Sequence, residues 1–463
     1  MKKHLTFREI AAYSLGLFGF QAIVGFLNSY QAEFYHAQMA ANLAVVGVLI
    51  LVVKVVSAVF DPVVGNLIER GKSRKGKLRP FIAYSLLPLL ITTVVVFIRV
   101  PLKGVALYAY IFVTFLLWSM AMTLGDVPSQ AIASVLTPDP EERTNVISIA
   151  NTLKQIGFSA AAVLVPVVCL IVPGGSRVFG IAEGQKDDPI SSAEYLAVAV
   201  LVAVLGCGLF SLIYFMNRER VAYTSETMTF KEMFASLRDN KPLMLVIVSY
   251  FLGAGRQMAM AIQVQTSNAL LGSENYVLAL GISTAVGTML SMALTPVLIK
   301  KLGEKTAYIA LSVYGFAVSI LAFLVYVFVT QNMVVMFVFL FLTGLQFGAV
   351  TLMPMIMVTD CVDDYEYRTG KRREGPAFSM LTLTIKVCLA VGAALGLILV
   401  QASGYRAEAA EVSLHTKNVI FFAYVAMPGI FSLLSVFPIL KYDITGEKKK
   451  QIAEALSQRR STD

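Results

Sequence analysis

The sequence predicts an all-α membrane protein: twelve transmembrane helices in two six-helix bundles, with both ends in the cytoplasm. Three observations predict it. The 463 residues are 57% apolar and only 14% charged, against about 25% charged in soluble domains. Apolar runs such as Ala41 to Val53 and Leu196 to Phe215 follow one another along the chain, and crossing a bilayer takes about 20 such residues. A transmembrane barrel would show alternating segments of about 10 residues instead. Finally, Lys and Arg gather in every second loop. With the N-terminus inside, 28 lie on the cytoplasmic side and six on the other (Arg99, Lys103, Arg177, Lys186, Arg406 and Lys417). That is the positive-inside bias, and it accounts for the net charge of +9 without any nucleic-acid partner.

The spans fall at about 10–35, 41–69, 80–99, 104–136, 145–172, 193–217, 242–270, 276–299, 306–329, 333–359, 376–401 and 418–440. The cationic start, MKKHLTFREI, flows into the first span and reads as its beginning rather than as a cleavable leader. The longest linker follows span six and divides the chain into a bundle over 1–217, a cytoplasmic linker over 218–241, a second bundle over 242–441 and a tail over 442–463. Each half repeats one pattern after its second span: Pro, an apolar helix end, a short basic turn, the next span. DPVVGNLIERGKSRKGKLRPFIAYS in the first half is echoed by TPVLIKKLGEKTAYIALS in the second. Two facing six-helix halves are the architecture of transporters that hold a solute at the bilayer midplane.

The turn after span two also resembles the signature of the major facilitator superfamily. Gly65 is followed by Glu69, Arg70 and a run of cationic side chains. A glycine there admits close helix approach, and the acid and arginines are placed to pair with neighbouring helix ends as a conformational lock. The alternative is charge that serves topology alone. The loop after span ten mixes Asp360, Asp363, Asp364 and Glu366 with Arg368, Lys371, Arg372 and Arg373. It lacks the ligand spacing of a calcium loop and reads as a cytoplasmic salt-bridge gate, against the alternative of a solvated loop.

Charges inside the spans carry the most information, because a charge at mid-bilayer costs about 3 kcal/mol even on the mildest scales. The candidates are Lys54, Asp61, Asp126, Lys154, Arg256 and Lys386. Asp61 and Asp126 sit at similar depth, and each closely precedes a proline, which removes a backbone donor and favours a polar, bent segment. Two carboxylates at one depth suit a proton or a monovalent cation. Structural ion pairing between helices is the competing reading for each. The cysteines form no CxxC pair, and the histidines lie at span ends, so neither a metal centre nor a disulfide is expected. Nothing in the sequence has the nucleophile–base or phosphate-loop pattern of an enzyme, and GAGRQ within span seven has no strand–helix context.

The runs DPVVGNLIERGKSRKGKLRPFI, WSMAMTLGDVPSQAI, NKPLMLVI, TDCVDDYEYRTGKRREGPAFS and LTLTIKVCLAVG together resemble the glycoside–pentoside–hexuronide:cation symporters over nearly the whole chain. The resemblance implies two rocking bundles, cation-coupled uptake and a sugar at the midplane. It places the second member of the family's helix-two carboxylate pair on Asp61 and the first on Ser57. The helix-four carboxylate falls on Asp126, and the helix-eleven lysine and a nearby polar position fall on Lys386 and Thr382. The helix-one acid falls on Gln21, the helix-four tryptophan on Gln130 and the helix-five arginine on Asn151. Trp118 is therefore not the sugar-stacking ring.

These departures shape the expectations. Ser57 in place of a carboxylate, with Lys54 one turn earlier, weakens a sodium site, so proton coupling is expected over sodium, with no other cofactor. Gln21, Gln130 and Asn151 keep hydrogen-bonding amides, while Lys54, Lys154 and Lys386 outnumber Asp61 and Asp126, which suits a sugar acid; pairing of each lysine with a carboxylate is the competing reading. Arg256 joins them as a substrate-site candidate. The expected partners are a small-molecule solute, a sugar or acidic sugar, and the lipid bilayer, for a monomer in the inner (plasma) membrane. A lipid or other non-sugar solute carried on the same scaffold is the alternative.

Overall fold

The computed structural model describes residues 5–71, 73, 76–137, 139–171, 190–220, 230–273, 276–371, 373–407 and 411–462. The fold is all-α. The long helices are α1 (Phe7–Met39), α2 (Leu43–Arg70), α3 (Arg79–Val96), α4 (Val105–Ala131), α5 (Pro140–Ile171) and α6 (Ser192–Met216). There follow α7 (Lys241–Leu252, continued after a 44° bend by Ala254–Ala261), α8 (Val277–Leu302), α9 (Glu304–Phe328), α10 (Met333–Thr369), α11 (Glu374–Ala402), α12 (Leu414–Leu440) and a C-terminal helix α13 (Gly446–Thr462). Among the described residues, ten helices are long and apolar enough to cross a membrane, or eleven with the bent α7 taken as one span. Helix α5 occupies the position of the predicted fifth span, and its side chains from 161 onward lie outside the described residues.

Local chemistry sets the helix starts. Thr6 caps α1 in a capping box with Glu9, and Ser191 does the same for α6 with Glu194, each pair satisfying two backbone donors that would otherwise be orphaned. Asn42 caps α2 through Ala44 and Val45, and Asn332 caps α10 through Val334. Helix α1 ends where Ala40 turns left-handed at φ 51°.

The residues form two compact units. Unit 1 comprises Met1–Thr227 with the segments Ser267–Leu278 and Gly404–Val412; unit 2 comprises Met228–Thr266, Ala279–Ser403 and Ser413–Asp463. In unit 1, α1 is the buried spine. It packs on α5 and α6, while α3 packs on α4 and α6 and α2 packs on α4. Two glycines let α1 and α5 touch backbone to backbone. A Cβ on Gly25 would stand 2.2 Å from the Phe158 carbonyl oxygen, and one on Gly157 would stand 2.3 Å from that of Phe18. Lipid tails provide no hydrophobic drive between helices, so such close approach is what holds them together. Further along α1, Phe26 and Phe34 stack around Phe97 at 4.5 and 5.2 Å, with Tyr195 5.3 Å from Phe34. In unit 2, α8 and α10 meet similarly: a Cβ on Gly287 would lie 2.2 Å from the Phe341 oxygen, and one on Gly344 would lie 2.3 Å from that of Thr284.

Gly157→Val should therefore force α1 and α5 apart. Overpacking of this kind costs about 1–3 kcal/mol, and thermal unfolding of the purified protein should show a lower melting point. Gly208→Ala, whose Cβ would meet nothing within 4 Å, should leave the melting point unchanged or slightly raised. Equal melting points for the two variants would mean that the crossing does not carry the packing.

Candidate functional site

In unit 1, α2 and α4 bring together a polar cluster inside an apolar bundle. Ser57 on α2 and Thr123 on α4 are both buried, and their hydroxyls lie 3.1 Å apart. One turn further along α4 is Asp126, buried at 7% exposure. Its Oδ2 accepts from Gln130 Nε2 at 2.9 Å, a contact between successive turns of one helix face. Asp61, half-buried, stands one turn beyond Ser57 on α2. The Ser57–Thr123 contact sets α2 against α4 one turn before Asp61 and Asp126 on their respective helices. The prolines do not break either helix: α2 runs on through Pro62, and α4 contains Pro128 near its end, where Ser129 Oγ donates to the Asp126 carbonyl at 2.9 Å. Tyr13 on α1 reaches the same turn, donating to the Ser129 carbonyl at 3.3 Å. Gln21 is buried on α1; Gln130 and Asn151 are exposed, and Lys154 is half-buried on α5.

Lys54 lies over two aromatic faces, its Nζ 5.6 Å from the Phe115 centroid and 5.7 Å from that of Trp118. Such contacts stabilise an ammonium by about 0.5–2 kcal/mol. Trp118 is fully buried, and its indole N–H donates to Thr93 Oγ1 at 3.1 Å. The ring is a structural wall of the α2–α4 face.

Unit 2 holds the other candidates. Lys386 and Thr382 share a face of α11, Lys386 half-buried and Thr382 exposed, with the threonine hydroxyl donating back to the Phe378 carbonyl at 3.0 Å. Arg256 sits at the bend of α7, 4% exposed. Its Nη1 donates to Tyr308 Oη and to Ser435 Oγ, each at 3.3 Å, and its guanidinium lies 5.7 Å from the Tyr250 ring. Gly253 leaves the room it needs, since a Cβ there would stand 2.2 Å from Nη2. No described carboxylate comes within ion-pair distance of Arg256; a cage of neutral hydroxyls and a ring holds the charge instead and pins the bent helix to α9 and α12. That packing role is what the sequence alone did not separate from a substrate role.

The cytoplasmic candidates divide likewise. In unit 1, the Glu69 side chain lies outside the described residues, as do Lys72, Arg74 and Lys75. Arg70 is exposed, and a Cβ on Gly65 would meet no described atom within 4 Å, so close helix approach is found at Gly25 and Gly157 and not there. What secures the turn is a residue that sequence reasoning passed over. Glu219, just after α6, accepts from three successive backbone N–H groups, those of Lys77, Leu78 and Arg79, at 2.9, 2.9 and 3.0 Å. A carboxylate at a helix start is favoured by both the orphan donors and the helix dipole. Its neighbours extend the stitch: Asn217 donates to the Glu9 carbonyl at 2.9 Å, and Arg220 pairs with Glu9 at 2.6 Å. The run NRER is thus a clamp on α1 and α3.

In unit 2, Asp360 and Glu304 are buried at 8% and 7% exposure, and both hold Lys449 of α13, Asp360 at 2.8 Å. Lys448 pairs with Asp443 at 2.6 Å. Asp364, next to Asp363, pairs with Arg368 at 2.8 Å, and Arg373 reaches Asp239 at 3.2 Å. Arg372 lies outside the described residues. Asp360, Asp363, Asp364 and Glu366 thus stand in the last turns of α10 and not in a loop, because the helix runs on to Thr369, and Asp360 and Asp364 meet lysines of the tail helix α13. Burial works against the Lys449 charge, but the hydrogen bonds it donates to Asp360 and Glu304 outweigh it and hold the ammonium above the ordinary lysine value. The Lys448 hydrogen bond holds Asp443 below the usual carboxylate range.

The profile of the MFS/sugar transport protein family matches residues 12–446. The inner membrane symporter YicJ of Escherichia coli (strain K12) is 26% identical over 98% of this chain and 95% of its own length. The glucuronide carrier protein homolog of the same organism is 24% identical over 99% of this chain and 97% of its own. Among solved structures, the nucleoside transporter NupG superposes with a TM-score of 0.67 at 14% identity, covering 95% of this chain and 100% of that one. These likenesses make the chain a multi-pass membrane transporter and not an enzyme.

A raised lysine pKa contributes stability that is full below the ordinary lysine value and lost only as the pH rises through the raised one. Lys449 is accordingly charged at neutral pH, where burial has raised its partner Asp360 to about 7 and Glu304 shares the ammonium with it. Limited proteolysis at neutral pH should spare the C-terminal helix of the native protein and cleave it in Lys449→Glu, which sets a third carboxylate against Glu304 and Asp360. Equal cleavage rates would count against the anchor.

Proposed function

The chain belongs to the MFS/sugar transport protein family, and on that premise we propose that it takes up a sugar, glycoside or acidic sugar by alternating access, coupled to protons in preference to sodium. The observation that carries the coupling is the Ser57–Thr123 hydroxyl pair, engaged at 3.1 Å where a second helix-two carboxylate would sit. Hard cations are held by several oxygen ligands, carboxylates foremost. Here Asp61 has a hydroxyl one turn away, and Asp126 already accepts from Gln130. A carboxylate pair that needs no coordination shell suits a proton. Lys54, lying over aromatic rings of the same face, adds positive charge that further disfavours a bound sodium ion.

The amides of Gln21, Gln130 and Asn151 suit sugar hydroxyls, and Lys154 and Lys386 suit a sugar carboxylate. The glucuronide carrier homolog is a relative whose name points to an acidic sugar, and it supports a uronide as the first solute to try. In this reading Asp61 and Asp126 exchange the coupling proton, Lys386 and Thr382 meet the solute from α11, and Arg256 acts by holding the bend of α7.

Ligands that bind only the folded state raise its melting point, by about 2.7 kcal/mol at a hundred times Kd. Uronates should therefore stabilise the purified protein with or without Na⁺, with a shift that depends on pH. Asp126→Asn should remove the pH dependence. Lys386→Gln should weaken uronate binding by about tenfold, equivalent to 1.4 kcal/mol, and leave neutral glycosides nearly unaffected. A shift seen only with Na⁺ would overturn proton coupling; stronger binding of neutral glycosides would overturn the acidic solute; no shift with any sugar would favour a lipid or other non-sugar solute.

A further inference from the structure

Arg256 uses only one edge of its guanidinium to hold the bend of α7. Arginine presents five N–H donors in a planar fork. Nη1 donates to Tyr308 Oη and to Ser435 Oγ. Nε and Nη2 donate to no acceptor among the described residues. These two nitrogens form the side-on edge, the one that meets an anion with two parallel N–H bonds. The residue is only 4% exposed, and a buried charged donor without an acceptor costs stability.

The surroundings supply no negative charge. The described groups against the guanidinium are neutral: the Tyr308 and Ser435 hydroxyls, the Tyr250 ring, and the backbone of Gly253, where a Cβ would stand 2.2 Å from Nη2 and 2.8 Å from Nε. Cys388 of α11 stands in the same corner, its Sγ 3.6 Å from the Tyr250 carbonyl oxygen. All of these residues belong to unit 2. A buried charge calls for a partner of opposite sign, and here no described carboxylate supplies one. The backbone points the same way. Helix α7 breaks between Leu252 and Ala254 with a bend of 44°. Broken helices are where transporters hold ions and the charged groups of their solutes.

We propose that Arg256 binds a small monovalent anion side-on through Nε and Nη2, so that one edge of the guanidinium pins the helix and the other holds a ligand. A single negative charge matches a single guanidinium among neutral neighbours; a divalent anion would leave an excess charge buried. The anion is a free ion or the carboxylate of the solute. Only the second source rests on the acidic-solute reading above.

The test begins without any sugar. Native purified protein is melted in the sodium salts of formate, chloride and bromide, against the bulky sulfonate HEPES at equal ionic strength and pH. Ligands of the folded state raise its melting point, so the small anions should raise it saturably and HEPES should not. Arg256→Lys keeps the charge but loses the side-on edge, and it should bind formate about tenfold more weakly, the scale of one hydrogen bond to a charged group. Should Arg256→Lys fail to fold, crystals of the native protein grown in bromide decide the matter: anomalous density is expected against Nε and Nη2, and its absence there overturns the site. Uronate that competes with formate identifies the solute carboxylate as the anion, whereas independent, additive shifts identify a free ion. A formate shift in a protein that binds none of the sugars tried keeps the anion site and removes only the sugar reading. No small-anion shift in the native protein, or the same shift in Arg256→Lys, overturns the proposal.

Discussion

The backbone-to-backbone crossing of α1 over α5 is the constraint on which unit 1 depends. With Gly25 against Phe158 and Gly157 against Phe18, the two helices come as near as main chains allow, and most of α1 is buried. A helix so enclosed cannot choose which of its polar residues to bury. Ser14, Gln21, Gln31 and Glu33 are all inside, and each must find its chemistry there. Tyr13 reaches the Asp126 turn and Glu33 reaches two distant segments because the spine passes through the centre of the unit.

The solutions differ with depth, and the physics of each is plain. On the α2–α4 face, Gln130 donates to Asp126, the Ser57 and Thr123 hydroxyls pair, and Lys54 lies over the Phe115 and Trp118 rings. At the bend of α7, Arg256 is held by hydroxyls. Near the helix ends, where water and salt can enter, direct ion pairs are found: Arg220 with Glu9, Lys449 with Asp360 and Glu304, Lys448 with Asp443. Fully desolvated ion pairs rarely repay their dehydration, while at a wet boundary that cost falls.

The sequence made the spans legible because a bilayer imposes a length and a composition that no other solvent does. The same rule made Asp61, Asp126, Lys54 and Lys386 conspicuous. It could not expose Glu33, which stands near a span end where a charge costs little on paper; the structure buries it because segments hundreds of residues away close over it. Lys449 reads as one of several cations in a solvated tail, and nothing local shows that buried acids of α9 and α10 await it. Glu219 looks like a charge in a linker, although its three donors are backbone groups invisible to composition. Arg256 was conspicuous for the right reason, an expensive charge in a span, but its hydroxyl partners lie on α9 and α12 and have no signature of their own. Glycine misled in a similar way: Gly65 stands in a recognisable motif with open space around it, while Gly25 and Gly157 stand in none and carry the tightest contact of the unit.

Several contacts of this chain are multiple, with one group meeting two or three partners at once. Lys449 is held by two carboxylates at once, and Glu219 by three N–H groups at once; releasing either would strand a charge or several donors together. Such multiple contacts suit parts that move as one body with their helices. Glu33 accepts from Tyr405 Oη and Asn268 Nδ2, which come from two segments far apart in sequence, and is buried by them.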